Sequence, residues 1–71
     1  MNSLEQYAER LIKERDELNV KVDKLISFLD SDKIHKMSSR DVELLRSQLE
    51  LMSGYLQILN IRIGRYEEGK V

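Results

Sequence analysis

Leucines stand at positions 4, 11, 18 and 25, one every seven residues, and Ala8, Val22 and Leu29 fill the place four further on in three of those heptads. Alternating steps of four and three keep apolar side chains on one stripe of an α-helix, so this segment is predicted to be an amphipathic helix. Arg15 stands where the second row would put an aliphatic residue. Ser3 and Gln6 have the spacing of a capping box, in which a hydroxyl and a side-chain amide satisfy free backbone donors at a helix start. The first helix is therefore expected over about 3–30. Asp30, Ser31, Asp32 and Lys33 then break the pattern with polar side chains that compete for the backbone. Ser38 and Ser39 offer a second N-cap, with Asp41 in the following turn, which predicts a turn over about 31–38 and a second helix over about 39–66.

The second helix carries a cleaner repeat: Leu45, Leu49, Met52, Leu56, Leu59, Ile63 and Tyr66 alternate steps of four and three without an error. Beside that seam runs another row, Leu44, Leu51, Tyr55 and Ile58, with Gln48 and Arg62 interposed at the same spacing. One partner helix covers one stripe. The predicted fold is thus all-α, an antiparallel two-helix hairpin in a single domain, with the second stripe left for another copy in a homo-oligomeric helical bundle. Gly64 and Gly69 are expected to end the helix and to leave Glu67, Glu68, Lys70 and Val71 as a frayed tail. Gly54 sits in mid-helix, where glycine costs about 1 kcal/mol relative to alanine. Tolerance in a helix held by its neighbours is the plain explanation. The functional alternatives are close approach of a neighbouring helix or contact with a ligand beside Tyr55, the former favoured.

Composition sharpens the assembly expectation. The chain has 71 residues, no cysteine and no proline. Below about 70–80 residues a lone core rarely suffices without a staple, and with disulfides excluded oligomerisation is the leading remedy. Twelve Lys and Arg against 13 Asp and Glu give a net charge of -1, which disfavours binding of a nucleic acid polymer through bulk electrostatics. Unbroken apolar runs never exceed two residues. Neither a membrane span nor the apolar core of a signal peptide is present, so a cytoplasmic protein is expected.

The catalytic inventory is thin. His35 is the single histidine, and with Asp32 it falls in the polar linker, short of the further ligands a metal needs. A solvated histidine is the stronger explanation. The carboxylates of the first helix read as a solvated face with i,i+4 pairs such as Glu9 with Lys13 and Glu17 with Lys21. No phosphate loop and no nucleophile with a base is visible, so neither an enzyme nor a cofactor nor a metal is expected. Binding chemistry is better supplied. Tyr7, Tyr55 and Tyr66 combine a flat face with a polar tip, and Lys24, Arg40, Arg46, Arg62 and Arg65 can reach phosphates. Tyr55 and Arg62 lie two turns apart on the outer stripe with Ile58 between them, an aromatic plane and a guanidinium on one face. The competing explanation is that Tyr55 packs at an interface and Arg62 pairs with a carboxylate across it. Arg15 also has two readings, a register-setting ion pair with an acidic partner or a side chain snorkelling along the hairpin edge, the second being commoner. Lys33, His35 and Lys36 form a small basic cluster that reads as a solvated loop.

The stretch Lys24-Leu25-Ile26-Ser27-Phe28-Leu29, a polar turn, and then Leu44 to Leu56 with Ile58, Leu59, Arg62 and Ile63 resembles the small phage-encoded helical-hairpin proteins of phages related to the crAss-like group. More distantly, Gly54-Tyr55 and the aliphatics that follow are similar to the hairpin domain of phage anti-CBASS and anti-Thoeris sponge proteins. That resemblance implies an oligomer, typically a hexamer, that takes up a host cyclic-nucleotide-type immune signal between protomers and does not cleave it. It implies ligand contacts at Tyr7, Lys24, Arg40, Tyr55 and Arg62, the aromatic and basic residues nearest by position. The sponges carry an aromatic and basic segment ahead of the first helix, whereas this chain enters its helix almost at once.

The leading expectation is therefore a phage sponge for a cyclic oligonucleotide or cyclic ADP-ribose isomer, acting in the cytoplasm of an infected bacterium. The alternative is a coiled-coil interaction module with no small-molecule site. A zipper-like DNA-binding regulator is the weakest reading, because no basic region precedes the leucine row.

Overall fold

A computed structural model describes residues 3–69, with the backbone alone at Ser3. The Ser3–Gln6 capping box and the last two tail residues, Lys70 and Val71, lie outside the described residues. Two long helices account for most of the chain, α1 (Ser3–Leu29) and α2 (Ser39–Glu67), joined through a short 3-10 helix over Asp32–Lys36, and no strand occurs among the described residues. The helices run antiparallel as a rod of 50 × 17 × 14 Å.

The turn is built by two serines. The Ser31 hydroxyl donates to the Phe28 carbonyl at 2.7 Å and its oxygen accepts from the Lys33 N–H at 3.3 Å, closing α1 and opening the 3-10 helix. The polar linker is thus more regular than the simple turn expected there. Ser38, in extended backbone, caps α2 by accepting from the Asp41 N–H at 3.2 Å. At the far end α2 runs straight through Gly64, which does not terminate it. Gly69 takes that role at φ 74°, the left-handed conformation that glycine adopts without a Cβ clash, and its N–H bonds back to the Tyr66 carbonyl at 2.9 Å.

The core is small and lies towards the open end of the hairpin. Leu11, Leu59 and Ile63 form its centre, with Tyr7 and Leu18 packed against them, while Ala8, Val22 and Leu29 are the other buried apolar side chains. Leu59 is wholly inaccessible. Leu45, Leu49, Met52 and Leu56, in the same seam nearer the turn, are only half-buried. The second row differs sharply: Leu51 is 77% exposed and Leu44 and Ile58 more than half. Gly54 lies among these exposed residues, and a Cβ there would meet nothing within 4 Å. The close helix approach expected at Gly54 is therefore not made within the chain.

Candidate functional site

One edge of the open half of the hairpin gathers the polar chemistry. Tyr7 and Glu14 lie seven residues apart on α1, and Tyr55 and Arg62 seven apart on α2. Seven residues are two turns, so antiparallel packing brings them together as two rungs about 10 Å apart along the rod. In the outer rung, Arg62 Nη2 donates to the Tyr7 hydroxyl at 3.0 Å, with its guanidinium carbon 5.8 Å from the Tyr7 ring centre. That distance places the cation within reach of the ring's negative face. In the inner rung, the Tyr55 hydroxyl donates to a carboxylate oxygen of Glu14. The exposed Ile58 falls between Tyr55 and Arg62 on α2.

Electrostatics tie the two rungs together. The hydrogen bond to Glu14 holds the Tyr55 phenol above its ordinary pKa, helped by desolvation and the negative charge of Glu14 and opposed in part by the positive charge of Arg62. Arg62 is raised as well, first by its bond to the Tyr7 hydroxyl, so it stays cationic at any working pH. The edge thus presents two phenol rings, one permanent cation and one acceptor carboxylate to solvent.

Of the five expected ligand residues, Tyr7, Tyr55 and Arg62 converge here. Lys24 and Arg40 do not join them within one chain. Lys24 borders an open hollow of about 410 Å³ near the turn, with Asp23, Ser27, Phe28, Ser31 and Lys33. Arg40 is in the first turn of α2, exposed and 3.9 Å from Glu43. Fifteen residues of helix, about 22 Å, separate it from Tyr55. Glu14 is the member that sequence reasoning passes over among the solvated carboxylates. Its seven-residue spacing from Tyr7 is the signal that places it on the same edge. Among the described residues no group of three or more His, Cys, Asp and Glu converges as metal ligands.

Arg15 marks the opposite edge. Its Nε pairs with Asp16 at 2.7 Å and its Nη1 donates to the Asn60 side-chain carbonyl at 2.9 Å, with the side chain 31% exposed. The cross-helix partner is an amide and not the acidic residue that an ion pair would need, so Arg15 clamps the hairpin rim by snorkelling along it. Among the described residues the expected Glu9–Lys13 and Glu17–Lys21 pairs are not closed, and all four side chains are exposed. Such exposed pairs gain little against side-chain entropy.

Comparison with known proteins adds a family. Residues 5–65 match a family model described as Sequestin. Over 61 residues the chain is 36% identical to an uncharacterized 7.5 kDa protein encoded in the denB-rIIB intergenic region of Enterobacteria phage T4, covering 86% of this chain and 95% of that protein. No solved structure matches.

Proposed function

The chain belongs to the Sequestin family, and on that premise we propose that it is a phage anti-defence sponge. It binds a host cyclic-nucleotide-type immune signal, a cyclic oligonucleotide or a cyclic ADP-ribose isomer, and holds it without cleaving it in the cytoplasm of the infected cell. The observation that carries this reading is the convergence of Tyr7, Tyr55 and Arg62 on one exposed edge. Each part has a counterpart in a nucleotide. A base stacked on an aromatic face contributes about 1–3 kcal/mol. A guanidinium has five N–H donors, and the Tyr7 contact engages one of them, leaving a fork suited to phosphate. Glu14 supplies an acceptor beside the Tyr55 ring for the exocyclic amino group of a base. The family name agrees with sequestration, and the T4 relative agrees with a phage protein. A single hairpin meets a ligand from one side only, so the sponge works as a homo-oligomer with its sites completed between copies.

Thermal unfolding in the presence of cyclic dinucleotides, cyclic trinucleotides and cyclic ADP-ribose isomers tests the reading. A ligand held only by the folded state at 100 times its Kd adds about 2.7 kcal/mol, a shift of several degrees for a domain of this size. The shift is expected for one class of ligand and is expected to vanish in Tyr55→Ala and Arg62→Ala while assembly persists. An unmoved midpoint with every compound at high concentration overturns it. A second reading, a coiled-coil protein-interaction module, is favoured by one observation: Tyr55 and Arg62 already have partners within the chain. It predicts no response to any nucleotide, dissociation on Tyr55→Ala, and recovery of one stoichiometric protein from lysate.

A further inference from the structure

The outer face of α2 is unpartnered in the hairpin: Leu44, Leu51, Ile58 and Ile61 are each more than half exposed. We propose that this face is covered by the same face of a second copy, the two α2 helices packing antiparallel and meeting at Gly54. Three observations carry the assignment, and none depends on the ligand reading.

The first is area. A monomer of 8.4 kDa packed to the usual compactness exposes about 4,600 Å². This chain exposes 5556 Å², roughly 950 Å² more. A stable interface of standard size buries about 800 Å² from each partner. The excess surface is therefore the amount that one such contact would remove.

The second is Gly54. Within the hairpin its missing side chain leaves open space, with nothing inside 4 Å of a built Cβ, so no intrachain contact offsets its poor helix propensity. On the wheel it lies in the row 47, 54, 61, beside the row 44, 51, 58, with Leu51 and Ile58 one turn away on either side. A residue without a side chain in the middle of an apolar face allows two backbones to approach there.

The third is charge, which selects the direction. In an antiparallel pair centred on Gly54, Glu43 of each copy lies level with Arg65 of the other and Arg40 with Glu68. Arg46, level with Arg62, is turned towards Ile26 and Leu29 of its own hairpin and away from the shared face. Parallel packing at the same centre sets Glu43 against Glu43, Glu50 against Glu50 and Arg65 against Arg65. The interval from 43 to 65 spans about 33 Å of helix, most of the length of α2.

The chain has no cysteine, so an introduced one reports its own neighbours. Full-length Glu43→Cys and Arg65→Cys proteins are mixed, unfolded, refolded together and oxidised. The proposal expects the mixed 43-to-65 disulfide as the main product, and a 43-to-43 product or monomer overturns it. Native mass measurement of the unmodified chain is expected to give a dimer or a multiple of two, and a monomer at 100-fold above the working concentration overturns it. Leu51→Glu and Ile58→Glu are expected to weaken assembly at least 100-fold while helical circular dichroism at saturating concentration stays within a tenth of the parent. If both variants assemble as the parent does, the face is not the interface.

Discussion

The two faces of α2 both carry an apolar row, unbroken on the inner face and interrupted by Gln48 and Arg62 on the outer one, and they meet opposite fates. On the inner face Leu59 and Ile63 are buried against Leu11, and on the outer face Leu51, Ile58 and Leu44 stand in water. The difference comes from having one partner helix. A hairpin shields a single stripe of each member, and nothing else among the described residues covers the other. Inner positions therefore set the stability of the hairpin, and outer positions are free to serve contacts beyond it. Tyr55 and Arg62 lie on the boundary between the two, which is where a group must sit to be held by the fold and still reach a ligand.

The largest effect on this contrast is expected from Leu59→Ala. The removed side chain is fully buried, and truncation of a buried leucine costs about 2–5 kcal/mol. In so small a domain this is expected to lower the denaturation midpoint severely, whereas Leu51→Ala leaves the fold of the hairpin unchanged. Equal losses measured by urea unfolding at low concentration would show that the two faces do not differ as described. Next in size is Ser38→Ala, which removes the oxygen that accepts from the Asp41 N–H. A lost N-cap costs about 1 kcal/mol, and rapid amide exchange confined to the first turn of α2 is the expected signature.

A smaller effect concerns the boundary. Because the Glu14 bond raises the Tyr55 pKa, the neutral phenol is the form that the folded state favours. Its stabilising contribution is present below the ordinary tyrosine value of about 10 and is lost as pH rises through the higher folded value. Ultraviolet titration of tyrosinate is expected to show a phenol ionising above the ordinary tyrosine value, and Glu14→Gln to bring it back towards that value. Smallest of all, Asn60→Ala removes the acceptor of an exposed cross-helix bond. About 0.5 kcal/mol is expected from denaturant unfolding, with no effect on ligand binding because the clamp lies on the other edge.

Much of this contrast is legible in the amino-acid sequence. Heptad spacing at Leu4, Leu11, Leu18 and Leu25 and the unbroken seam from Leu45 to Tyr66 specify two facing helices, since period and length leave little choice. Leu4 shows the limit of spacing alone: it keeps the period yet stays 52% exposed at the start of α1. Gly64 misleads for a related reason, as a glycine with helix on both sides is carried through when its neighbour Ile63 is packed in the core. The candidate edge is half legible. Tyr55 and Arg62 share a row in sequence, but their partners Glu14 and Tyr7 lie 41 and 55 residues away, and only hairpin register selects them.

Function turns on whether the edge of Tyr7, Tyr55 and Arg62 takes up a cyclic-nucleotide-type signal and releases it whole. Purified protein incubated with such a signal, freed of unbound compound, and then heat-denatured returns the ligand for chromatography. The intact cyclic compound is expected from the parent protein and none from Arg62→Ala. A linearised or hydrolysed product, or equal recovery from both proteins, would overturn the sponge reading.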